Sequence, residues 1–279
     1  MTIDRLLAKL AYATIPSFWP IWLTVAAALL IIAVRTQVNW LSGARLKLQR
    51  LDASLLLIFL IPYISFMMWG VEFAYHDNDF FLELTSGRPL QLMIWPHAGR
   101  YFPLYMQEFN LFRHISISAA FFQLMVAIQL IVFCGLIAIA LAGIGIVWRM
   151  AAVILLLCSN SLGIVFADPV YPERNIVFAI TVFVVAIQRY DSQPSRLNFI
   201  AAALSSHLAV YYKEPVFLFF GAFASARLLF AWFQARPVGW SWLHRRPLEL
   251  SIIGACLVFL VQISVALLWA RHSRYVSET

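Results

Sequence analysis

The chain has 279 residues, 63% hydrophobic and 12% charged, with a mean hydropathy of +0.83 and a formal net charge of +7. A soluble domain carries roughly a quarter charged residues, so this composition excludes an ordinary soluble fold and predicts helices packed side by side in a bilayer. The positive balance does not read as nucleic-acid binding, since no basic face or recognition motif accompanies it; basic loops beside anionic headgroups account for it.

A membrane span needs about 20 apolar residues. Eight apolar runs meet or approach that length, at roughly 17–34, 53–71, 116–147, 150–166, 176–188, 198–211, 215–234 and 249–270. Pro16 and Pro20 leave the first run open to an in-plane or re-entrant reading, and the third is long enough to tilt. No linker, repeat or composition shift divides the sequence, so residues 1–279 are expected to form a single all-α polytopic transmembrane bundle. The first run is long and no small-residue cleavage site follows it, which argues against a cleaved signal peptide. Cys134, Cys158 and Cys256 fall inside apolar runs without zinc-like spacing and read as small buried hydrophobes.

Lysine and arginine set the orientation. Eleven of them (Arg35, Arg45, Lys47, Arg50, Arg149, Arg189, Arg196, Arg227, Arg236, Arg245 and Arg246) border connections on one side, against five (Arg88, Arg100, Arg113, Arg174 and Lys213) on the other. The richer side is expected to be cytoplasmic. The acids are distributed the opposite way. Asp52, Asp191 and Glu249 are inside, whereas Glu72, Asp77, Asp79, Glu83, Glu108, Asp168, Glu173 and Glu214 are outside. Acids contribute little to orientation, so their excess calls for another cause.

Three outer connections carry these acids. The first, roughly 72–115, opens with EFAYHDNDFF (Glu72 to Phe81) and continues through HAGRYFPLYMQEFNLF (His97 to Phe112). Its aromatic residues alternate with charges, as in short helices lying at headgroup depth. The second, roughly 167–175, ends in YPERN, and the third, roughly 211–215, is YYKEP. Pro215 suits the first turn of the following helix, whose positive end would favour Glu214.

If the three connections meet, they build one cavity. Arg100, Arg174 and Lys213 would hold a phosphate, for which the arginine fork is well shaped. Asp77 or Asp79 would serve as a general base toward an acceptor hydroxyl. Glu108, Glu173, Glu214, Tyr171 and His97 complete the candidate binding set. Each has a plainer reading: solvated loop charges, neighbouring ion pairs Glu173–Arg174 and Lys213–Glu214, a loop pin at Glu108, an interfacial hydrogen bond at His97. Asp77 and Asp79 offer oxygen ligands that suit a divalent cation, but two carboxylates do not define a metal site, and no cofactor is otherwise called for.

The layout of residues 53–235 resembles the GT-C superfamily of polytopic glycosyltransferases. The resemblance is carried by EFAYHDNDFF soon after a membrane helix, with GRYFPLYMQEFN, YPERN and YYKEP on the same side. It implies transfer of a sugar from a polyprenyl-phosphate donor to a cell-envelope glycan or lipid acceptor at the outer face of a bacterial inner membrane. The acidic catalytic residue of that family maps onto Asp77 or Asp79. The acidic loop here follows the second span rather than the first, and the chain is shorter than such enzymes, so a truncated or partial member, or a minimal form, is expected. Two other classes stay open: a transporter or flippase, for which ionisable residues deep in broken helices are the signature, and a non-catalytic subunit of a polysaccharide-assembly system.

Overall fold

The computed structural model of the protein describes residues 50–69, 78–95, 100–144, 146–167, 170–235 and 241–277. The first expected span, Asp77, His97 and Asp168 lie outside the described residues.

The molecule is mostly helical. In chain order it has α1 (Arg50–Trp69), α2 (Asn78–Thr85), β1 (Ile94–Trp95), β2 (Arg100–Tyr101), α3 (Gln107–Phe112), α4 (Ala119–Ala140), α5 (Ile146–Leu157), α6 (Asn160–Ala167), α7 (Glu173–Ser192), α8 (Arg196–Val210), α9 (Val216–Ala235), a 3-10 turn (Ser241–Arg245) and α10 (Pro247–Ser277). Among the described residues, four stretches are long and apolar enough to cross a membrane: Ala120–Ala140, Glu173–Ser192, Val216–Gln234 and Pro247–Leu268. Shorter apolar stretches run over Leu55–Ser65 and Ile146–Leu157. Large apolar side chains such as Ile58, Leu155, Val261 and Leu268 are exposed on the outer faces of the helices, where water would penalise them and lipid would not.

The expected count of about eight spans is thus not confirmed: among the described residues several of the apolar runs fall short of a span, for local reasons. The run 116–147 ends as a helix at Ala140; the chain turns through Gly143, and Arg149 on α5 donates from Nη2 to the carbonyl oxygen of Ile144 at 3.1 Å. The run 150–166 is broken at Ser159, whose hydroxyl donates to the Leu156 carbonyl at 2.7 Å and so competes with the backbone ladder. The run 198–211 is α8, a 15-residue helix shielded by its neighbours. The Ser195 side chain accepts the Asn198 N–H at 3.2 Å and caps it. Its buried Ala202, Ala203, Ser205, Ser206 and Ala209 let backbones approach closely, and its contact with α7 is the most extensive between any two described helices.

Two apolar cores result. One gathers Leu60, Leu84, Phe109, Phe122 and Phe166 from α1 to α6. The other gathers Phe183, Phe199, Phe220 and Phe259 from α7 to α10. Helix α7 is the seam: Val177 and Phe178 pack on the first core, and Ile176 and Phe183 belong to the second. The segment from Arg100 to Phe109 bridges the same seam, with Tyr101 in the second core and Met106 and Phe109 in the first.

Candidate functional site

The long loop before α4 is a folded piece of structure. β1 and β2 pair antiparallel, Ile94 opposite Tyr101 and Trp95 opposite Arg100. Asn110 ties α3 to the extended segment before β1, accepting the Leu90 N–H at 2.8 Å and donating to the Leu90 carbonyl at 2.9 Å. Gly87 adopts φ +78° after α2, the left-handed step that glycine makes cheaply, and Arg113 donates to its carbonyl at 2.6 Å. Met106 takes φ +57° at the start of α3, a conformation that strains a side-chain-bearing residue. The chain then turns into α3, whose second residue is Glu108.

Helix α7 begins three residues earlier than the apolar run suggests. Pro172 occupies its N-cap, and Glu173, Arg174 and Asn175 form its first turn. Arg174 and Asn175 therefore point into the bundle, and Arg174 is 1% exposed. Arg174 Nη2 donates to Glu108 Oε1 in an ion pair. Its Nε donates to Gln129 Oε1 at 3.2 Å. Gln129 donates in turn to Asn175 Oδ1 at 2.8 Å, and Asn175 Nδ2 donates to Glu108 Oε1 at 2.7 Å. These four side chains close a ring. The Arg174 guanidinium also lies 4.7 Å from the Phe109 ring centroid, a cation–π geometry.

The third connection meets the other two. Lys213 Nζ forms an ion pair with Glu173 Oε1. Glu214 Oε1 accepts the Tyr101 N–H at 2.8 Å and the Arg100 Nε–H at 3.2 Å. Leu104 N–H donates to the Tyr211 carbonyl at 3.2 Å. Pro215 sits just before α9, and Glu214 faces β2 rather than the N-terminus of its own helix.

The three segments are thus joined by a triangle of ion pairs, one along each side: Glu108–Arg174, Glu173–Lys213 and Glu214–Arg100. The partners are exchanged relative to sequence neighbours, so Glu173–Arg174 and Lys213–Glu214 are not the pairs formed. Exposure separates the cations. The Arg100 and Lys213 side chains are 47% and 35% exposed, whereas Arg174 is sealed. Oε2 of Glu108 and Oε2 of Glu173 are buried without a hydrogen-bond partner among the described residues; such atoms ordinarily have one. Tyr171 is exposed beside Pro172.

Asp79 lies in α2, which packs on the first core: Leu84 is buried there, and the Phe80 ring packs edge-on to Tyr105 with centroids 6.2 Å apart. Among the described residues, no group of three or more His, Cys, Asp or Glu is placed to hold a metal ion.

Three members of the cluster escape a reading of the outer loops alone. Gln129 is, with Gln123, one of two glutamines inside the otherwise apolar α4, and its signal is a polar side chain in an apolar run. Asn175 follows Arg174 on what looks like a loop. Tyr212 carries no charge, yet it senses the ion pair: burial pushes its phenol well above the usual value of 10.0, Glu108 pushes it further, and Arg174 opposes both.

Compared with protein-family models, with curated proteins and with solved structures, the chain matches none.

Proposed function

We propose that the protein is a GT-C-like membrane glycosyltransferase. It takes a sugar from a polyprenyl-phosphate donor at the acidic end of the bundle and passes it to a cell-envelope glycan or lipid acceptor. In this reading the acidic end faces outward from a bacterial inner membrane. The observation that supports it is the meeting of three remote segments in one cluster of carboxylates and cations.

The residues divide the work. Asp77 or Asp79 takes the proton of the acceptor hydroxyl as that oxygen attacks the anomeric carbon. The bond from that carbon to the lipid phosphate breaks, and the phosphate leaves with the electron pair. Arg100 and Lys213, the two accessible cations, turn from Glu214 and Glu173 to receive the developing charge. Arg174 is a positioning residue: sealed and paired with Glu108, it fixes the first turn of α7 and so the place of Glu173. Tyr171 and His97 are the further candidates for contact with the sugar. Asp77 and Asp79 are also where a divalent cation would bind.

The test is transfer from a polyprenyl-phosphate sugar in liposomes, with Asp77→Ala, Asp79→Ala and the double variant beside the parent. Loss in one single variant and in the double variant assigns the base. Full activity in all three removes both aspartates from catalysis.

One observation favours a second reading, a non-catalytic membrane subunit. The three cations and three carboxylates of the triangle are matched one to one, which is also how a purely structural latch is built. Binding of the donor lipid by the purified chain without transfer, in the presence of candidate acceptors, would favour that reading.

A further inference from the structure

At the opposite, arginine-rich end of the bundle, one face of α9 and Arg246, the residue just before α10, line a cleft of about 430 Å³. We infer that this cleft binds one anionic glycerophospholipid from the surrounding bilayer, its phosphate on Arg246 and an acyl chain along α9.

The shape supports a chain-and-headgroup ligand. The α9 residues lining the cleft are Phe223, Ala226, Arg227, Phe230, Ala231 and Gln234. Their spacing marks a single stripe of the helix. The stripe runs about 16 Å along the axis at 1.5 Å per residue. Ala226 and Ala231 make the groove, and Phe223 and Phe230 wall it. Phe230 is 64% exposed, so the groove opens sideways, toward lipid.

The polar end of the stripe lies at headgroup level. Gln234 is the last residue of the apolar span in α9, and Arg246 immediately precedes the apolar span that begins at Pro247. A phosphate at that level meets donors, and deeper atoms meet only apolar side chains and Arg227.

The charges assign the two arginines different tasks. Arg227 is already engaged: both terminal nitrogens donate to Asp191 at 2.7 Å, and Nε donates to Glu249 at 3.0 Å. That network ties the end of α7 to α9 and α10, and it fixes one wall of the cleft. Arg246 is different. Its guanidinium reaches Glu249 only at 3.9 Å, forms no hydrogen bond among the described residues, and is 40% exposed. A planar fork with unused donors, beside a lipid-facing apolar groove, suits a phosphodiester.

Native mass spectrometry of the full chain, titrated with phosphatidylglycerol or phosphatidylcholine, tests this. The wild type is expected to bind one phosphatidylglycerol at least about tenfold more tightly than phosphatidylcholine. Arg246→Gln should erase that preference, and Arg245→Gln, which alters an exposed neighbour outside the cleft, should keep it. Ala226→Leu fills the groove and should weaken both lipids. The inference is overturned if Arg246→Gln retains the preference, if Arg245→Gln removes it equally, or if glycerol phosphate without acyl chains binds as tightly as the lipid. Should Ala226→Leu fail to fold, the two arginine variants still decide the matter.

Discussion

Glu108 and Arg174, 66 positions apart in the chain, meet in an ion pair whose guanidinium is 1% exposed. Removing one partner of such a pair leaves an uncompensated charge in a poorly hydrated place, which costs about 3–5 kcal/mol. Arg174→Met and Glu108→Gln are each expected to destabilise the detergent-solubilised protein by that order. The double variant Glu108→Gln/Arg174→Met should lose less than the sum, because neither partner is then left alone. Thermal or denaturant unfolding of the four proteins gives the coupling directly; strictly additive losses would show that the pair is not coupled.

The exposed pairs should behave differently. Salt bridges at solvent-accessible positions stabilise by about 0–1 kcal/mol. Arg100→Ala and Lys213→Ala are therefore expected to unfold within about 1 kcal/mol of the parent. If these cations receive the leaving phosphate, each change should still lower kcat/KM for the polyprenyl-phosphate donor by about tenfold or more, an effect near 1.4 kcal/mol on the barrier. Unchanged kcat/KM with unchanged stability would assign both residues to ordinary loop charge.

Three phenols at the acidic end make the fold sensitive to alkali. Burial raises Tyr101, Tyr211 and Tyr212 well above the usual 10.0. The sign follows from proton counting. Below pH 10 both folded and unfolded chains hold these protons, and stability is flat on their account. Above pH 10 the unfolded chain releases them and the folded chain does not, so stability falls, by up to about 1.4 kcal/mol per pH unit for each phenol. Unfolding measured at pH 8, 9, 10.5 and 11 should show a plateau and then a decline. Tyr212→Phe should make the decline shallower. An equally steep decline in that variant would mean that Tyr212 titrates normally.

Gly87 isolates a backbone effect. A Cβ there would meet nothing within 4 Å, yet φ is +78°. Gly87→Ala is expected to destabilise by about 1–2 kcal/mol through the left-handed conformation alone. Gly87→Asn should cost less, since asparagine visits that region more readily. Melting temperatures of the two variants, ranked Asn above Ala, are the check; an Ala variant as stable as the parent would contradict the assignment.

The membrane character, the helix segments and the sorting of acids from most of the arginines are properties of composition and order along the chain. Apolar runs must be buried or face lipid, whatever they touch. For this reason 215–234 anticipates α9 closely, and 249–270 anticipates the apolar span Pro247–Leu268 of α10. The same logic misjudges 116–147 and 150–166, since apolarity cannot register a glycine turn or a serine hydroxyl that competes for a backbone carbonyl. It also starts α7 too late, because Glu173, Arg174 and Asn175 look like loop residues until Pro172 is recognised as the helix cap.

The sequence by itself determined that three polar connections, each with a carboxylate and a cation, interrupt an apolar bundle. Only the tertiary structure decided which carboxylate meets which cation, and that Gln129 and Asn175 close a ring around Arg174. It also decided that Arg174 is sealed while Arg100 and Lys213 stay accessible. The physical reason is range. Hydropathy acts on each residue where it stands, whereas an ion pair forms between whichever side chains packing brings within a few ångströms, and sequence separation carries no record of that distance.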